Sequence, residues 1–71
     1  MRYDLENRLK EIRLQQEKQQ EEIANFAGVS RRTYIRYENG SISPNLVSAF
    51  RIADALGIDN LREIWTYKNP H

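Results

Sequence analysis

With 71 residues the chain can hold one small domain around one core, since independent domains rarely fall below about 50 residues. It carries no cysteine, which excludes disulfides and thiolate metal sites and fits a reducing setting; 11 Lys and Arg against 10 Asp and Glu leave a net charge of +1, almost no overall pull on a polyanion. No apolar run nears the roughly 20 residues that span a bilayer, and residues 1–10 alternate charged and apolar side chains instead of building a signal-peptide core. The expectation is therefore one domain over residues 1–71, with its core in 5–67 and a loose tail in 68–71. It should be cytoplasmic, nucleoid-associated when bound, and without a membrane partner.

The chain contains no valine-rich alternating run, so it is expected to be all-α, a compact bundle of five short helices. Asp4 is placed to cap a first helix whose Leu5, Leu9 and Ile12 share one stripe toward the core. The polar residues 15–19 hold the first connection. A second helix is predicted over Gln20–Ala27, with Ile23, Ala24 and Ala27 inward and Gly28 as its left-handed stop. Val29 adds an apolar residue to the turn, Ser30 caps a third helix, and Asn39 and Gly40 end it. Ser43 and Pro44 read as N-cap and first position of a fourth helix, with Leu46, Ala49, Phe50, Ile52, Ala53 and Leu56 on one broad face and Gly57 closing it. Asn60 with Glu63 imitates a capping box for a fifth helix carrying Leu61, Ile64 and Trp65.

Residues 20–40 thus form a short helix, a tight glycine-containing turn and a second short helix, the outline of a helix-turn-helix. At about 100° per residue, Arg31, Ile35, Arg32 and Arg36 fall within an arc of about 140°, with Thr33, Tyr34 and Tyr37 opposite. Arginines one turn apart repel by a few tenths of a kcal/mol, so an outside anion is their natural compensation. An arginine fork matches phosphate oxygens and the O6/N7 edge of guanine, and Ile35 in the same arc can meet a thymine methyl. A solvated basic face is the competing reading, made weaker by the turn in front of it. Both tyrosines are expected in the core, with their hydroxyls at its edge.

The combination Arg8-Leu9, Ile12-Arg13, Gln20-x-x-Ile23-Ala24, Gly28-Val29-Ser30, Arg36-Tyr37-Glu38-Asn39-Gly40, Pro44 and Ile52-Ala53-x-Ala55-Leu56-Gly57-Ile58 resembles the Cro/C1-type helix-turn-helix family, the phage-repressor-like DNA-binding domain, from about Arg8 to Trp65. The resemblance implies a sequence-specific double-stranded DNA-binding regulator, most simply a repressor at an operator. It implies that Gln20 anchors a phosphate, that Arg31, Arg32 and Arg36 read bases, and that Ser30, Thr33, Asn39 and Gly40 lie near the phosphate backbone. Ser30 can equally be a simple cap. Glu38 ends its helix where the macrodipole disfavours negative charge; the resemblance supplies Arg13 as its partner in a structural ion pair.

Two positions depart from the family pattern. Glu17 and Lys18 stand where a glycine and an apolar residue are usual, which leaves Leu14, or a longer first helix, to fill the gap. After Gly40, Ser41 and Ile42 replace the usual cations, so fewer phosphate contacts and a shallower salt dependence follow.

Catalysis is not expected: the only histidine is His71, and a small helical domain leaves little room for a cleft. Glu21, Glu22 and Asp54 read as surface charges, and neither a metal nor a cofactor is implied. A monomer this small meets few base pairs, so a homodimer is expected, with Leu61, Trp65 and Tyr67 as its candidate surface; the plainer reading is that Leu61, Ile64 and Trp65 close the monomer core. The alternative function is a protein-interaction module of the same fold, an antitoxin or an antagonist of another regulator, with a protein partner in place of DNA.

Overall fold

The computed structural model describes residues 5–68. Its elements are strand β1 (Leu5–Asn7), helices α1 (Leu9–Gln15), α2 (Gln20–Ala27), α3 (Arg31–Glu38) and α4 (Leu46–Ala55), a 3-10 turn (Leu61–Glu63) and strand β2 (Trp65–Tyr67). Four α-helices and a two-stranded antiparallel sheet replace the expected all-α bundle of five. The strands pair Leu5 with Tyr67, Glu6 with Thr66 and Asn7 with Trp65.

The two ends depart from the expected helices for different reasons. Leu5 is exposed in β1 and does not join the helical stripe. Asp4, expected as a cap, lies outside the described residues; the N-cap position is held by Arg8, which makes no side-chain capping bond, and the Leu9 N–H donates instead to Asn7 Oδ1 at 2.9 Å. The expected fifth helix stops after one turn. Asn60 accepts from the Arg62 N–H at 3.0 Å, and the bonds from Glu63 to Asn60 and from Ile64 to Leu61 are i to i+3, the tighter spiral. Trp65, Thr66 and Tyr67, all strand-favouring residue types, then run straight against β1.

The core is built from Leu9 and Ile12 of α1, Ile23, Ala24 and Ala27 of α2, Tyr34 and Tyr37 of α3, Ile52 and Ala53 of α4, then Leu56 and Ile64. The alanines let α2 and α4 approach closely, and that contact is the widest in the molecule. Helix α4 starts later than expected: Asn45, not Ser43, caps it by accepting from the Ser48 N–H at 2.8 Å. Leu46 and Phe50 do not join the expected inner face and stand exposed beside Val47.

The connection from α1 to α2 solves the departure at Glu17 and Lys18 in an unexpected way. Glu17 itself takes the left-handed conformation, φ 57°, that a glycine would adopt freely. Leu14 remains exposed and fills nothing. Lys18 lays its half-buried stem across the gap and donates from Nζ to the Ala55 carbonyl at 2.6 Å, while Gln16 Nε2 donates to the Leu56 carbonyl at 2.8 Å. A cation is well placed there, against the negative end of α4.

Candidate nucleic-acid interface

Helix α2 ends at Gly28, whose φ of 76° reverses the chain, and Ser30 starts α3 by accepting from the Thr33 N–H at 3.0 Å. A side chain at position 28 would also press on the Arg51 guanidinium at 3.1 Å. This turn fixes how α3 is presented. Tyr34 is completely buried and Tyr37 nearly so, while Arg31, Arg32 and Arg36 are exposed and Ile35 is half-buried. One side of α3 thus anchors it, and the other offers three guanidinium groups around a partly covered isoleucine.

The hydrogen bonds decide which polar groups near α3 can still reach an anion. Ser30 Oγ both accepts from Thr33 N and donates to Thr33 Oγ1 at 2.9 Å, so its proton is committed and Thr33 keeps the donor. At the other end, the N–H groups of Asn39, Gly40 and Ser41 return to the carbonyls of Ile35, Tyr37 and Arg36. Asn39 Oδ1 accepts from both the backbone N–H and the hydroxyl of Ser41, at 2.9 and 2.6 Å. Only the Asn39 amide N–H groups remain to donate outward from that corner.

Behind this face lies a buried ionic network. Arg13 of α1 donates from Nε to Glu38 Oε2 at 2.6 Å and from Nη2 to Oε1 at 3.3 Å, and its Nη1 donates to the Lys18 carbonyl at 2.8 Å. Gln20 Nε2 donates to Glu38 Oε1 at 3.2 Å, and Arg31 Nη2 reaches Gln20 Oε1 at 3.5 Å. Burial pushes the Glu38 carboxyl toward protonation, but the bonds from Arg13 and Gln20, with the Arg13 charge and the nearby Tyr34 hydroxyl, outweigh it and hold Glu38 below the usual carboxylate range. The Tyr34 hydroxyl is fully buried, not at the edge of the core, and has no hydrogen-bond partner of good geometry among the described residues. Burial and the neighbouring Glu38 charge raise its pKa.

Two features of the site escaped sequence reasoning. Asn7 Nδ2 donates to the Tyr37 carbonyl at 3.0 Å, bracing the last turn of α3 from β1; Asn before a helix was the available signal. The second is the contact of Gln20 with both Glu38 and Arg31. Leu61, Trp65 and Tyr67 line an open groove of about 330 Å3 that also takes in Leu5, Leu46 and Ala49 and no residue of α3. Among the described residues no group of three or more His, Asp or Glu could hold a metal, and no helix is long and apolar enough to cross a membrane. His71 lies outside the described residues.

A helix-turn-helix family model matches residues 9–59, which takes in all four α-helices. The chain belongs to the Cro/C1-type helix-turn-helix family. Relatives include an uncharacterized HTH-type transcriptional regulator of Methanothermobacter thermautotrophicus, 48% identical over 65% of this chain and 67% of that protein. Another, from Methanocaldococcus jannaschii, is 37% identical over 92% of this chain and 97% of its own length. The cryptic phage CTXphi transcriptional repressor RstR of Vibrio cholerae is 35% identical over 73% of this chain, a match that spans 47% of the repressor. In fold, this helix-turn-helix domain is similar to the crystal structure of a candidate DNA-binding protein from Bacteroides fragilis, with a TM-score of 0.77 at 22% identity, over 87% of this chain and 98% of that one.

Proposed function

We propose that the chain is a DNA-binding transcriptional regulator that inserts α3 into the major groove of an operator and, acting as a repressor, blocks polymerase access there. The observation that carries this reading is the division of α3, with Tyr34 and Tyr37 buried while Arg31, Arg32 and Arg36 stand exposed around Ile35. In the groove the arginine forks pair with guanine O6 and N7, Ile35 packs on a thymine methyl, and the buried tyrosine side keeps the helix from rolling. Gln20, Thr33 and the Asn39 amide donate to flanking phosphates, with Ser30 and Gly40 shaping the two ends of α3. Family membership and relatives named as transcriptional regulators, one of them a repressor, support the same class. No catalytic role is assigned, and the site of action is the nucleoid in the cytoplasm.

The reader is proposed to be a homodimer, because two copies across a two-fold axis span half-sites about 34 Å apart where one copy meets only a few base pairs. The groove lined by Leu5, Leu61, Trp65 and Tyr67 lies beside Leu46, which with Val47 and Phe50 gives α4 an exposed apolar face. A knob beside a groove on one surface is what a self-complementary contact requires. Selection of bound sequences from random duplex DNA tests the whole reading: a palindromic consensus is expected, and no enrichment even at low salt would sink it.

A further inference from the structure

We propose that Glu38 is a positioning residue for base reading: through Gln20 it fixes where Arg31 stands, so the buried ion pair sets base preference as well as stability. The inference rests on the DNA-reading assignment above. It starts from the chemistry of the three groups. A carboxylate only accepts hydrogen bonds and a guanidinium only donates them, so an amide held between the two has a single favourable orientation. Glu38 Oε1 takes Gln20 Nε2 at 3.2 Å, which turns Gln20 Oε1 outward to Arg31 Nη2 at 3.5 Å. Rotating the amide by half a turn would set oxygen against carboxylate and NH2 against guanidinium, two repulsions in place of two attractions.

Glu38 cannot drift, because Arg13 grips both of its oxygens. Gln20 is the first residue of α2, Arg31 the first of α3 and Glu38 the last of α3, so the polar chain runs from one end of the reading helix to the other through the neighbouring helix. The second N–H of Gln20 stays available for a phosphate, which lets one amide register the backbone and hold a base-reading arginine together. Among the described residues Arg32 and Arg36 have no comparable partner. The structure therefore separates one guided arginine from two unguided ones, and the separation can be measured.

The test uses the whole chain, wild type and variants, in selection from random duplex DNA and in binding titrations, with Arg31→Ala identifying the base pair that Arg31 contacts. Gln20→Met, which leaves the Arg13–Glu38 pair intact, is expected to reduce preference at that base pair by up to about tenfold while changing the other positions less than about twofold. Glu38→Gln should do the same; because it strands Arg13 in a buried position, the double variant Arg13→Met, Glu38→Met serves as the folded control, and its effect should not add to that of Gln20→Met. In the free protein, nitrogen relaxation at Arg31 Nε should show lost order in all of these variants and none lost at Arg36. Uniform weakening at every base pair with preference unchanged, or unaltered Arg31 order, overturns the proposal. If wild type enriches no sequence, the DNA reading fails, and the relaxation measurement still decides whether Glu38 positions Arg31.

Discussion

Arg13 meets Glu38 with the edge of its guanidinium, two bonds to two oxygens, where the side chains are 9% and 5% exposed. A pair this buried contributes little against two apolar residues of similar size, yet removing one partner leaves a desolvated charge. Arg13→Ala should lose about 3–5 kcal/mol in urea denaturation, and the double methionine variant should recover most of it. Equal losses in the two would mean that the pair is not the source of the cost.

The same geometry sets an acid limit. The folded-state pKa of Glu38 lies below its unfolded value, so the unfolded chain binds the proton first and stability rises with pH across that interval. The contribution is complete above the ordinary carboxylate range and is lost as pH falls through the lower folded value. Thermal melts from neutral pH to about pH 3 should show a steeper loss for wild type than for the double methionine variant.

Glu17 carries backbone strain at φ 57° with an exposed side chain. Glu17→Gly removes the steric cost and adds freedom to the unfolded chain, for a net gain of about 0.5–1 kcal/mol. A lower melting temperature for this variant would contradict the assigned conformation.

The hydroxyl pair at the start of α3 predicts a division of effects. Ser30→Ala removes the cap and should cost about 1 kcal/mol of stability. Thr33→Val should leave stability nearly unchanged and weaken binding to all duplex sequences about equally, since it deletes the one hydroxyl proton free to meet a phosphate. A sequence-dependent effect of Thr33→Val would place that residue among the base contacts instead.

Phe50→Glu puts a charge on the exposed face of α4 without touching the core. Sedimentation equilibrium should find wild type associating at micromolar concentration and the variant monomeric, with the helical circular dichroism unchanged. Unaltered association would exclude this face from the contact.

The helices were legible because their signals are local: Ser30 before α3, Gly28 and Gly57 as left-handed stops, and apolar residues at helical spacing. The ends were less so. Leu5 to Asn7 has little strand character and is a strand only because Trp65 to Tyr67 lies beside it, a pairing across almost the whole described chain that no local pattern announces. Leu46 and Phe50 share a helical face with Ala49, but the helix begins two residues later than Pro44 suggested and its roll follows the close α2 contact. At the interface, the outward arc of arginines follows from helical periodicity, whereas the link from Glu38 through Gln20 to Arg31 depends on how two helices cross, which periodicity does not encode.

The seam between Leu5 and Tyr67 is three residues long and joins segments far apart in the chain, so it can zip only after the helices have brought its halves together. Short, peripheral and late, it should also be the first part to open, as its amide protons would reveal by exchanging ahead of those in α2 and α4. Both strands contribute walls to the groove beside α4. Fraying at the seam would therefore loosen the proposed association face, and with it the Asn7 brace on the last turn of α3, before the helical core opens, giving the molecule two tiers of order.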